Sequence, residues 1–141
     1  MAPIEGRTWL EVIGTGECWD LLGRAEIGRV AVLVDGVPEI YPVNFSLDGR
    51  SVLFRTDPGS KLRGLLQSPM VCFEVDGIDA ATRRGWSVMV KGKATEVSSA
   101  DGAASAAAVP VHHWAYGEKL HRIRIQPVEI SGRRIYRPRS A

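Results

Sequence analysis

Apolar side chains recur along this chain at two spacings, and the switches between them outline its elements. A short helix is predicted over residues 17–25, where Thr15 or Gly16 supplies a cap and Glu17 and Asp20 suit the positive end of the helix dipole. From residue 28 to 34 the side chains are mostly β-branched or small. Asp35-Gly36 then supplies a tight turn, and residues 39–47 resume an extended pattern with Ile40, Val43 and Phe45. Asp48-Gly49 marks a second turn, and residues 51–56 return as the third strand of a meander. Asp57-Pro58-Gly59-Ser60 breaks that strand and offers a cap to a helix in which Leu62, Leu65 and Leu66 fall at helical spacing, with Pro69 marking its end.

Alternation resumes in the second half. Residues 70–75 set Val71, Phe73 and Val75 against Cys72 and Glu74, which predicts strand four ahead of a polar loop carrying Asp76, Asp79, Arg83 and Arg84. Residues 86–97 predict a long fifth strand, the Ala-rich stretch 98–109 a helix stopped by Pro110, and residues 112–118 a loop. Residues 120–130 alternate Ile123, Ile125 and Val128 with charged partners, and residues 132–136 extend this sixth strand. Six mainly antiparallel strands left open would expose pairing edges. The predicted fold class is therefore mainly β (α+β), a six-stranded antiparallel barrel with a few short helices in a single domain over residues 1–141.

Composition narrows the function classes. The chain has 141 residues, 45% hydrophobic and 24% charged, which fits one ordinary globular core. Its net charge of +2 gathers at Arg133, Arg134, Arg137 and Arg139, too small an excess to indicate a nucleic-acid partner. No apolar run approaches the roughly 20 residues that span a bilayer, and nothing before Trp9 resembles a secretory signal. The expectation is a cytoplasmic protein, off the membrane, with Cys18 and Cys72 reduced.

The segment Phe54-Arg55-Thr56-Asp57-Pro58-Gly59-Ser60-Lys61-Leu62 combines a strand end, a small-residue turn, a helix start and two cations. Helix-start N–H groups carry partial positive charge, Arg55 offers a bidentate fork and Lys61 a point charge, so the segment suits a phosphate. Solvated cations flanking a helix cap would share this spacing, and the segment alone leaves both readings open. Asn44 sits in an apolar strand beside Pro42, where its amide can read the edge of a heterocycle or simply face solvent. Trp86 and Ser87 offer a flat ring and a hydroxyl, or a core residue and its neighbour. His112-His113 lacks further ligands at metal spacing, so no metal site is expected, and Cys18 has no placed base to make it a nucleophile.

Taken together, VNFSLDG, FRTDPGSKL, FEVDGIDAATRRGWSV and ISGRRI resemble the pyridoxamine 5′-phosphate oxidase-like family of FMN-binding split β-barrels, in particular its short nitroimidazole-reductase-like members. That resemblance covers about residues 17–136. It implies a homodimer with FMN in grooves at the subunit interface. Arg55, Thr56, Ser60, Lys61 and Leu62 match the segment that holds the flavin phosphate and ribityl chain. Val43, Asn44 and Phe45 match the strand lining the isoalloxazine ring, and Trp86 and Ser87 a strand start near the cofactor. The regions of Trp114, Arg122 and Arg124 resemble parts that approach the site from the partner chain. The substrate-binding signature of true pyridoxamine phosphate oxidases is absent from residues 132–141, so vitamin B6 oxidation is not implied. The implied activity is a flavin-dependent oxidoreductase acting on a small molecule, with no catalytic residue assigned. The alternatives are a 5-deazaflavin-dependent reductase using Lys91, Lys93 or the C-terminal arginines, or a non-catalytic flavin- or haem-binding protein with His112 or His113 near iron.

Overall fold

The computed structural model describes residues 2–4, 8–97 and 121–136. The helix expected over 98–109, the loop with His112, His113 and Trp114, and Arg137 and Arg139 lie outside the described residues. Chain order is β1 (Ala2–Ile4), β2 (Thr8–Ile13), α1 (Thr15–Gly23), β3 (Ile27–Val34), β4 (Val37–Asp48), β5 (Ser51–Thr56), α2 (Ser60–Gln67), β6 (Met70–Asp79), β7 (Arg84–Glu96) and β8 (His121–Tyr136).

The hairpins form where turn chemistry demands them. Asp35 and Gly36 both have positive φ, 52° and 79°, as a two-residue type I′ connection between right-twisted strands requires. Strands β4 and β5 pair directly across Gly49-Arg50, with Asp48 opposite Ser51. All strand pairings are antiparallel, in the order β8-β5-β4-β3-β6-β7, and β7 pairs again with β8 to close a ring of six. This closed ring is the split β-barrel expected from the sequence.

Strand β8 makes closure possible. Its 16 residues pair with β7 along nearly their whole length, while its other edge holds β5 at residues 121–125 and β2 at residues 132–136. One strand thereby satisfies three neighbours, and the ring keeps few free edges. Strands β1 and β2 were not among the expected elements, because their order depends on the distant edge of β8. The polar loop expected from Asp76 is shorter than its composition suggests: β6 runs on to Asp79 and β7 starts at Arg84, since the polar residues occupy paired strand positions. Helix α1 starts at Thr15 with Gly14 as its cap, slightly earlier than the sequence indicates.

Inside the ring, Val30, Val32, Val43, Phe45, Val52, Phe54, Val71, Phe73, Val88, Val90, Ile123 and Ile125 form the buried core. Helix α2 adds Leu62 and Leu65, and α1 adds Cys18, Trp19 and Leu22. Among the described residues, no helix is long and apolar enough to cross a membrane.

Candidate functional site

Strand alternation sorts the sequence-predicted site residues into two sets. Val43 and Phe45 point into the barrel, where the Phe45 ring meets Phe73 edge-on at 4.8 Å. Thr56 is fully buried, with its hydroxyl donating to the Asp57 carbonyl at 3.2 Å, and Leu62 is also in the core. These four side chains hold the barrel together, and only their backbones are free to meet a ligand outside it. Asn44 and Arg55 lie between the inward positions and therefore stand on the outer wall.

That outer wall carries an unusual concentration of unsatisfied polarity. Asn44 Oδ1 and Ser46 Oγ, two residues apart on β4, are both buried without a hydrogen-bond partner. Such atoms lose hydration without compensation, a cost of about 1–3 kcal/mol each unless a ligand or partner satisfies them. Ser46 faces Leu53 on β5, and on the far side of β5 Arg55 lies directly opposite Arg122 of β8. Like charges in register are destabilising. Neither guanidinium has an ion-pair partner among the described residues, although both side chains are partly buried. Arg124, on the same wall, differs: it binds Asp48 at 3.0 Å and donates to Ser51 Oγ.

The family resemblance implies that the strand around Arg122 approaches the site from a partner chain, and within one chain the structure sets Arg122 opposite Arg55. The Arg-Ile-Arg-Ile alternation at 122–125 held that information, since it puts both arginines on one face, but the strand they face is set only by the register. Ser46 was missed likewise, and its signal was the two-residue spacing from Asn44.

Between Thr56 and α2, the cap residue Gly59 adopts φ 146° and ψ −161°, a region open essentially to glycine. Gly59 itself is the cap residue of α2, so the Asp57–Ser60 turn delivers the chain to the first turn of the helix through a glycine. Ser60 is exposed there, and the Lys61 ammonium lies 5.5 Å from the centroid of the Tyr41 ring. A methyl group at Gly59 would meet nothing within 4 Å, so its cost is torsional. Gly59→Ala is expected to lower stability by about 1–3 kcal/mol in urea unfolding, and a loss below the error of that measurement would show the strain to be absent.

Trp86 and Ser87 lie elsewhere. Around the ring, β4 and β7 are three strands apart either way, through β3 and β6 or through β5 and β8. Ser87 pairs with Arg133, eleven residues along β8 from Arg122, which is about 36 Å of contour at ~3.3 Å per residue. Trp86 packs partly buried against the edge of the core. One copy of the chain thus presents two separate clusters. Between them, on the outer wall of β3 and β6, Arg29 bonds Asp76 at 2.9 Å and Glu74 at 3.3 Å. Burial, followed by the neighbouring Asp76, raises the Glu74 carboxyl above its ordinary pKa, and Arg29 opposes this.

The comparisons agree with this architecture. The uncharacterized protein Rv0080 of Mycobacterium tuberculosis is 34% identical over 125 residues, covering 84% of this chain and 81% of its own. The structure of an FAD binding protein from Mycobacterium smegmatis is 34% identical with a TM-score of 0.65, covering 89% of this chain and 98% of that one. A conserved protein of unknown function from Corynebacterium diphtheriae is 32% identical with a TM-score of 0.74, covering 88% and 96%. The family model for pyridoxamine 5′-phosphate oxidase matches residues 15–134, and the chain accordingly belongs to the pyridoxamine 5′-phosphate oxidase family.

Proposed function

We propose that this protein is a cytoplasmic, homodimeric flavin-dependent oxidoreductase that holds FMN on the outer wall of β4 and β5 and acts on a small-molecule substrate. The observation that carries this reading is the arrangement, among the described residues, of two opposed arginines without carboxylate partners beside two orphaned polar oxygens. A phosphate between Arg55 and Arg122 relieves their repulsion and accepts two charge-assisted contacts, with Ser60, Lys61 and the first-turn N–H groups of α2 adding to the cradle. Asn44 Oδ1 needs a donor and Ser46 can donate, a set that matches the imide edge of an isoalloxazine, where an N–H sits between two carbonyls. Bound there, the flavin supplies the two-electron chemistry, while the protein orients it and sets its electrostatics.

The homodimer is supported by what covers the rest of that wall. Ile27, Leu33 and Ile40 are 41%, 41% and 68% exposed, and Pro38 and Pro42 share their face on β4. An apolar strip of this kind, interrupted on β3 by Arg29 and lying beside a polar groove, suits a second copy of the chain. On this reading β7, with Trp86 and Ser87 on its two faces, approaches the groove from the partner subunit, because it lies across the ring from β4. The reading is tested by titrating the protein with FMN, 5-deazaflavin and haemin and comparing wild type with the Arg55→Ala/Lys61→Ala double variant. FMN is expected to bind at one per subunit, and the double variant to bind it at least about tenfold more weakly, since two charge-assisted contacts are lost. Equal affinity in a folded double variant would remove the phosphate assignment, and preference for deazaflavin would change the reaction class.

A further inference from the structure

Past the barrel, β6, β7 and β8 continue as an extension, with β2 added along the free edge of β8. The face that lines the core at Val88 continues onto this extension as Trp86 and Arg84. The registers Gly77–Trp86–Arg134 and Asp79–Arg84–Tyr136 place the remaining four residues on the same face. Together they bound an open cleft of about 520 Å³, within the range of small-molecule sites.

The cleft has an aromatic floor and, among the described residues that line it, one arginine without a carboxylate partner. Trp86 lies so close to Gly77 that a Cβ there would come 2.5 Å from the indole Nε1, so glycine is what leaves room for the indole beside β6. The Tyr136 ring carries the Arg84 guanidinium 5.0 Å from its centroid. Three described carboxylates beside the cleft, Glu11, Glu17 and Asp79, are already engaged. Glu17 takes two bonds from Arg134, at 3.1 and 2.5 Å, and Glu11 accepts from the Tyr136 hydroxyl at 3.0 Å. Asp79 accepts the N–H groups of Ala81 and Thr82 at 3.0 and 3.3 Å. Arg84 has no carboxylate partner among the described residues, and its guanidinium lies over the Tyr136 ring.

We propose that this cleft binds the adenylate part of a nucleotide, with the base against Trp86 and a phosphate at Arg84. A ligand for this site must be planar, apolar on its faces and anionic nearby, and a nucleotide combines these features. Two sources share that chemistry. One is the adenylate half of FAD, whose flavin would lie in the intersubunit groove to which Trp86 belongs, and this source rests on the flavin reading above. The other is a separate adenine dinucleotide serving as electron donor, whose adenylate recognition does not depend on where the flavin sits.

The test uses the full chain as wild type, Arg84→Ala and Tyr136→Leu, with AMP, FMN and FAD each titrated by calorimetry and folding checked by circular dichroism. Wild type is expected to bind AMP, and both variants to bind it at least tenfold more weakly. Arg84 is exposed, so its variant keeps the test open should Tyr136→Leu fail to fold. FAD binding tighter than FMN in wild type, with the preference lost in Arg84→Ala and FMN affinity unchanged, assigns the cleft to FAD. Loss of AMP binding without any preference for FAD assigns it to a separate nucleotide. Absent AMP binding together with equal FMN and FAD affinities overturns the proposal. Equal weakening of FMN and FAD in Arg84→Ala overturns it too, because the cleft would then hold the flavin itself. If no flavin binds but AMP still titrates through Arg84, the flavin reading falls and this one stands.

Discussion

An Arg122→Glu variant is expected to bind FMN at least about 100-fold more weakly while its unliganded form stays as stable as wild type or becomes more so. Arg122 faces Arg55 directly across the β5–β8 ladder. Removing one charge-assisted contact costs about 1.5–3 kcal/mol, and a carboxylate in its place repels the phosphate as well. In the unliganded protein the sign reverses: an opposed Arg–Glu pair replaces an opposed Arg–Arg pair, worth about 0.2–1 kcal/mol in a cross-strand position. Few binding-site substitutions weaken the ligand and strengthen the fold together. Fluorescence titration with FMN and urea unfolding of the apoprotein read the two effects separately. Unchanged affinity would place the phosphate elsewhere, and a marked loss of stability would show that Arg122 is a structural residue.

Phe73→Ala is expected to remove about 3–5 kcal/mol of stability, which is a large part of the roughly 5–15 kcal/mol available to a typical domain. Phe73 is fully buried at the centre of the ring, and it meets Phe45 at 4.8 Å with the rings 70° apart. It also fills the space over Gly28, where a Cβ would come 2.3 Å from its Cζ. Truncation leaves a cavity between β3, β4 and β6 that closed strands cannot collapse to fill. The unfolding midpoint in urea should fall sharply with little change in slope. A loss under about 1 kcal/mol would mean that the barrel repacks. Because Phe45 is next to Asn44, the variant should also loosen the groove, with weaker flavin binding as the sign.

The two predictions draw on different layers of information. The Asp35-Gly36 turn, strand β5 with the bounds the sequence indicates, and helix α2 with its leucine stripe could be recognised locally. Each follows from backbone torsions and side-chain spacing within a few residues, which any window of sequence contains. The same holds for Arg55, Ser60 and Lys61, since a strand end, a turn and a helix start are adjacent in the chain. Residues that matched the family's cofactor segment proved to divide by pleat. Val43, Phe45 and Thr56 turn inward while Asn44 and Arg55 turn outward, a distinction the alternation contains once the barrel interior is known, and Leu62 joins the core from α2.

Sequence alone therefore determined the hairpins, the second helix, the mainly β character and the strand-turn-helix segment that carries Arg55 and Lys61. Tertiary structure decided that β8 would serve β7, β5 and β2 at once, that Arg122 would face Arg55, and that Trp86 and Ser87 would stand across the ring from Asn44. The physical reason is that turns and helices satisfy their hydrogen bonds with near neighbours, whereas a ladder between distant strands takes its register from whichever pairing buries the core of the whole ring.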